Sequence, residues 1–176
     1  MRVLTLPGWH GSGPEHWQTL WEQQSGYQRV QQHDWEQPLR GDWMMQLEEQ
    51  LLQSEQPAVL VAHSLGCWLV AAWAGHSQHT ARVKAALLVA PPDLQQQPLP
   101  QLHSWKGTDT RALPFPSLLL ASRDDPFCTL ERSRDLARQW GSQWQDVGAL
   151  GHVNADSGLG DWPQGQLLLR QLLAAA

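Results

Sequence analysis

The chain has 176 residues, enough for one well-formed core and too few for two ordinary domains with a linker. Hydrophobic residues at 41% against charged residues at 16% exclude a disordered chain, and no apolar run approaches the roughly 20 residues that span a bilayer. A net charge of −5 with scattered Lys and Arg argues against nucleic acid as a partner, and two cysteines, Cys67 and Cys128, are too few for a disulfide framework or a thiolate metal cage.

Short β-type apolar runs alternate with helix-like segments along the whole chain, the pattern of a parallel sheet with helices on its faces. The strands are predicted at Val3–Leu6, Tyr27–Gln31, Ala58–Ala62, Ala85–Val89, Ser117–Ala121 and Gln143–Val147. The helices fall between them, at Glu15–Gln24, Asp42–Gln53, Leu65–Gly75, Leu130–Trp140 and Gln164–Leu173. The expected architecture is therefore α/β: one domain over residues 1–176, a mostly parallel sheet of about six strands, and right-handed crossovers that place helices on both faces. One segment, Pro91–Pro116, is rich in Pro and Gln without a period. A connection that long either covers a functional site or makes an irregular surface excursion, and composition favours neither. The opening residues, Met1–Gly8, carry one basic residue and an apolar stretch stopped by Pro7 and Gly8, too brief for a signal-peptide core. A cytoplasmic location is expected.

Four segments carry chemistry. In Val59-Leu60-Val61-Ala62-His63-Ser64-Leu65-Gly66-Cys67-Trp68 an apolar strand runs into a small-His-Ser-x-Gly turn and then a helix, the context of a nucleophile elbow. Small residues two before and two after the serine let neighbouring backbone pack closely, and Ala62 stands where the commoner pattern has Gly. Alone, such a serine is as readily an N-cap. Leu118-Leu119-Leu120-Ala121-Ser122-Arg123-Asp124-Asp125-Pro126-Phe127 then sets an acid just beyond a strand, and Gly148-Ala149-Leu150-Gly151-His152-Val153-Asn154-Ala155 sets a histidine in a later loop. The order Ser, acid, His is the one α/β-hydrolases use. Ser64 is thus the predicted nucleophile, His152 its base, and Asp125 the residue that orients the base, with the adjacent Asp124 left open as the acid. The glycine-rich loop Pro7-Gly8-Trp9-His10-Gly11-Ser12-Gly13 follows the first strand, so the backbone N–H groups of Trp9 and Leu65 are the expected oxyanion donors. Its spacing fits neither dinucleotide-binding nor P-loop patterns.

These same stretches, PGWHGSGPEHW, AHSLG, ASRDDPF and GHVNADSGLGDWPQG, resemble the small serine hydrolase family that includes the retinoblastoma-binding serine hydrolase and its bacterial relatives. The resemblance implies a minimal α/β-hydrolase fold without a large lid domain, and esterase-like activity through a Ser-Asp-His triad that falls on Ser64, Asp125 and His152. No cofactor is expected. His10, His16 and His63 invite a metal reading, but no H-E-x-x-H helix or Cys set supports it, so no metal is expected either. The expected partner is a small acyl substrate. The 11 Trp residues leave two alternatives open: a protein-interaction module with little turnover, engaging a protein partner or a second copy, and a thioesterase or acyltransferase using the same residues.

Overall fold

The computed structural model describes residues 2–96, 99–108 and 111–176. Among the described residues six strands, β1 (Arg2–Leu6), β2 (Gln28–Arg29), β3 (Ala58–His63), β4 (Val83–Val89), β5 (Ser117–Ala121) and β6 (Gln143–Asp146), alternate with five α-helices. These are α1 (Trp17–Ser25), α2 (Arg40–Leu52), α3 (Leu65–Ala74), α4 (Leu130–Trp140) and α5 (Pro163–Ala175). The strands form one sheet in the order β2-β1-β3-β4-β5-β6, and every neighbouring pair is parallel.

Strand alternation divides the core in two. Leu4, Leu60, Ala62, Leu88 and Leu119 point to the face covered by α2, α3 and α4, where they meet Trp43, Leu47, Leu69, Leu136 and Trp140. Val59, Val61, Leu87, Val89 and Leu120 point to the opposite face, against Trp17 and Trp21 of α1 and Leu168, Leu169 and Leu172 of α5. The helix-sheet-helix arrangement follows from this period of two. β3 is buried along its whole length, as a central parallel strand must be.

Some boundaries differ from the sequence expectation. The run Tyr27–Gln31 yields only two paired residues, Gln28 and Arg29, opposite Leu4 and Thr5 of β1, and the contact ends with Val30 N–H donating to Thr5 O. α1 begins at Trp17 rather than Glu15, since His16 is extended and its Nδ1 accepts from Gln18 N–H as a cap. α2 starts at Arg40, two residues before the expected Asp42. Within the 91–116 segment, residues Pro100–Trp105 form a 3₁₀ helix. Trp105 pins it by donating to Pro38 O at 2.6 Å and packing edge-on to Trp43. Among the described residues no helix is long and apolar enough to cross a membrane.

The strand order places a crevice above the site. From β1 the chain moves outward to β2, then returns past β1 to β3 and on in the other direction, so β1 and β3 flank a topological switch point. In open parallel sheets ligands bind beyond the carboxyl ends of such strands. The glycine-rich loop leaves β1 there, and Ser64 leaves β3.

Candidate active site

Ser64 sits between β3 and α3 with φ 55° and ψ −123°, a conformation that non-glycine residues rarely adopt. The turn is held by Ser64 N–H donating to Val89 O at 2.9 Å and by Cys67 N–H donating to Ser64 O at 2.9 Å. Two glycines make it sterically feasible. A Cβ on Gly66 would lie 2.1 Å from Leu6 O, and one on Gly8 would lie 2.8 Å from Ser64 Cβ. The first turn of α3 and the β1 loop therefore approach closer than any side chain allows, and the strained elbow is held by backbone on both sides. Ala62 is fully buried in this packing, so its methyl is accommodated.

His152 Nε2 lies 2.8 Å from Ser64 Oγ. Its Nδ1 lies 3.0 Å from both Asp125 carboxylate oxygens. Asp125 and Ser64, 27 and 88 positions from His152, thus meet it in one chain of contacts. The His152 and Asp125 side chains are only 10% and 2% exposed. Asp124, the alternative acid, points elsewhere: its Oδ1 accepts from Ser122 Oγ at 2.9 Å and from Gly151 N–H at 2.8 Å. Those bonds hold its carboxyl below the usual carboxylate range, the Gly151 bond first.

The loop that carries His152 is a four-residue turn closed by Val153 N–H donating to Leu150 O at 3.1 Å, with Gly151 at φ 57°. Ser122 Oγ accepts from Leu150 N–H at 2.8 Å, so Ser122 and Asp124, both beyond β5, tie down the start of the loop. Sequence reading missed this; the signal was a hydroxyl two residues before Asp124. It also missed Phe127, whose ring packs edge-on over the His152 imidazole with centroids 4.7 Å apart.

His63 and His16 lie behind the base. His63 is buried, and its pKa is pushed well below 6.5 by desolvation first and then by neighbouring His16 and His152. His16 is 4% exposed and its pKa falls to about 4, again by burial first, then Arg29 and His152. Both are neutral at pH 7. Among the described residues no group of three or more His, Cys, Asp or Glu could hold a metal ion.

A cavity of about 340 Å³ opens beside Ser64. Trp9, His16, His63, Leu65 and Asn154 line it, and Pro92, Leu99, Leu102 and Phe127 give it apolar surface. Leu65 is the first residue of α3, where an N–H has no intrahelical acceptor. Trp9 is the second residue of a turn closed by Gly11 N–H donating to Gly8 O at 3.0 Å, and its indole is anchored on Glu36 O. Most of the other Trp side chains are core: Trp17, Trp21, Trp43, Trp73, Trp105 and Trp140 are all essentially inaccessible.

An all-parallel α/β sheet with a serine on a strained strand-to-helix turn defines an α/β-hydrolase. The serine hydrolase family model matches residues 3–171, and the chain belongs to that family. Among solved structures, the chain is similar to a putative YdeN-like hydrolase from Pectobacterium atrosepticum, at 29% identity and a TM-score of 0.87 over 97% of this chain and 89% of that one. It is also similar to the ydeN gene product of B. subtilis, at 23% identity and a TM-score of 0.75 over 98% of each chain. The type II thioesterase of a borrelidin biosynthetic cluster shares the fold, at 17% identity and a TM-score of 0.66 over 97% of this chain and 92% of that one. Comparison with curated proteins gives no match.

Proposed function

We propose that the protein is a carboxylic-ester hydrolase that works through Ser64, His152 and Asp125 and an acyl-enzyme intermediate. The observation that carries this reading is the unbroken contact from Ser64 Oγ through both His152 nitrogens to the Asp125 carboxylate. Ser64 Oγ attacks the ester carbonyl as His152 Nε2 takes its proton, while Asp125 fixes the tautomer with Nδ1–H and stabilises the imidazolium. The N–H groups of Trp9 and Leu65 receive the oxyanion. Collapse expels the alcohol with the proton from Nε2. Water then gives a proton to Nε2, attacks the acyl carbon, and the acid leaves as Ser64 is restored.

Among the described residues the cavity lining contains no Asp, Glu, Lys or Arg, and Pro92, Leu99, Leu102 and Phe127 give it apolar surface. The substrate is accordingly an uncharged ester with an apolar group of modest size. Thioesters fit the same machinery. The Trp-rich interaction module loses its motive, because most of the Trp side chains are buried in the core and present no surface. Motifs such as PGWHGSGPEHW and GHVNADSG support a kinship with the retinoblastoma-binding type of serine hydrolase.

The test is turnover of uncharged p-nitrophenyl esters and labelling by a fluorophosphonate. Ser64→Ala is expected to abolish labelling and to lower kcat by up to about 10⁶-fold with the fold intact. Labelling that survives in Ser64→Ala would sink the assignment.

A further inference from the structure

The motifs PEHW and AHS contain His63 and Trp17, which the acyl-transfer steps do not use. Both reach the loop that carries the base. His63 Nε2 lies 2.9 Å from His152 O, and since a carbonyl only accepts, Nε2–H is the donor. Trp17 Nε1–H donates to the next carbonyl, Val153 O, at 2.8 Å. Both side chains are buried, Trp17 at 1% and His63 at 5% exposure.

The backbone they hold is strained. Val153 has φ 51°, in the left-handed region where a β-branched side chain is a true outlier. Such a conformation persists only where its surroundings fix it. At its start the loop is fixed by Ser122 and Asp124 on the N–H groups of Leu150 and Gly151. At its end, the carbonyls of His152 and Val153 are taken by donors from β3 and α1, two elements distant in sequence. His63 is also the residue immediately before Ser64, so one dipeptide carries the nucleophile and a tether to the base.

The tether is itself built in place. The His63 ring packs edge-on to His16, with centroids 4.7 Å apart, and His16 caps α1 by accepting from Gln18 N–H. Trp17 follows as the first residue of α1 and packs edge-on to Trp21 and Trp162. Burial keeps His63 neutral, so Nε2 keeps one hydrogen and Nδ1 none, and the donor points one way across the working pH range.

We propose that His63 and Trp17 are positioning residues for the general base: two buried N–H donors clamp the consecutive carbonyls of His152 and Val153 and hold a strained turn in the geometry that brings Nε2 to Ser64. The inference rests on the triad reading above. It predicts a defect in chemistry rather than in binding, because both N–H groups are spent on backbone carbonyls; Trp17 is the cleaner probe, since the His63 ring also lines the cavity.

The experiment compares Trp17→Phe, His63→Phe and His63→Gln in ester turnover, fluorophosphonate labelling rate and thermal unfolding. Trp17→Phe and His63→Phe keep an aromatic ring and lose the donor; they are expected to lower kcat about 10- to 100-fold with KM nearly unchanged, and to slow labelling in proportion. In His63→Gln the side-chain amide can put an N–H where Nε2–H was, and most of kcat should return. The proposal is overturned if the folded Trp17→Phe protein turns over at the wild-type rate, or if His63→Gln is as slow as His63→Phe. Should His63→Phe not fold, Trp17→Phe carries the test alone. Failure of the triad reading looks different: the wild type itself would then neither turn over nor label.

Discussion

The two halves of the site are built by opposite means. On the nucleophile side, Ser64 is held by backbone against backbone, with Gly8 and Gly66 allowing approaches that no side chain would permit. On the base side, His152 rides a loop fixed by side chains reaching in from three places: Ser122 and Asp124 beyond β5, His63 at the end of β3, and Trp17 in α1. The lesson is that the nucleophile is fixed by close packing of neighbouring strands' backbone, whereas a correctly aimed base depends on side chains that reach in from several elements. Strain appears on both sides, at Ser64 and at Val153, and each is stabilised by the method of its own half.

Within the base side, the largest effect is expected at its acid. Asp125→Asn leaves the shape but favours the wrong tautomer of His152, and kcat should fall about 10⁴-fold. Asp124→Asn can still accept from Gly151 N–H, so its loss should be only several-fold. Steady-state kinetics on the two variants decides between the carboxylates, and equal losses would contradict the contrast drawn here.

Breaking the nucleophile side should register as stability. Gly66→Ala sets a methyl 2.1 Å from Leu6 O, so α3 must shift from β1, at about 3 kcal/mol or more. Chemical denaturation measures it, and a variant as stable as wild type would mean the elbow is looser than its geometry implies.

The pH dependence sharpens the comparison further. His16 titrates near 6.5 when unfolded and at about 4 when folded, so between those values the unfolded chain binds the proton and the folded one does not. Stability is therefore full above pH 6.5 and lost as pH falls toward 4, on the order of 2 to 3 kcal/mol from this residue. His63, lowered for the same reason, acts in the same direction. His16→Asn keeps a capping oxygen for Gln18 N–H and should flatten the decline between pH 6.5 and 4.5 in denaturation curves. A decline as steep as the wild type's would exclude His16 as its source.

The sequence by itself determined the sheet, the helices and the identity of the three residues that meet, because those depend on local matters: apolar period, glycine at a tight turn, and the chain order of Ser, acid and His. It marked Ser64, His152 and Asp125 while leaving Asp124 open, since adjacent carboxylates look alike until one is seen to face an imidazole. Only the tertiary structure shows that Asp125 is the one facing it. It also decided that the Trp residues serve mainly the core, that β2 pairs over two residues only, and that His63 and Trp17 reach the base loop. Each of these turns on which distant groups a side chain reaches, and spacing along a chain carries no information about separations of 89 or 136 residues closed by a single hydrogen bond.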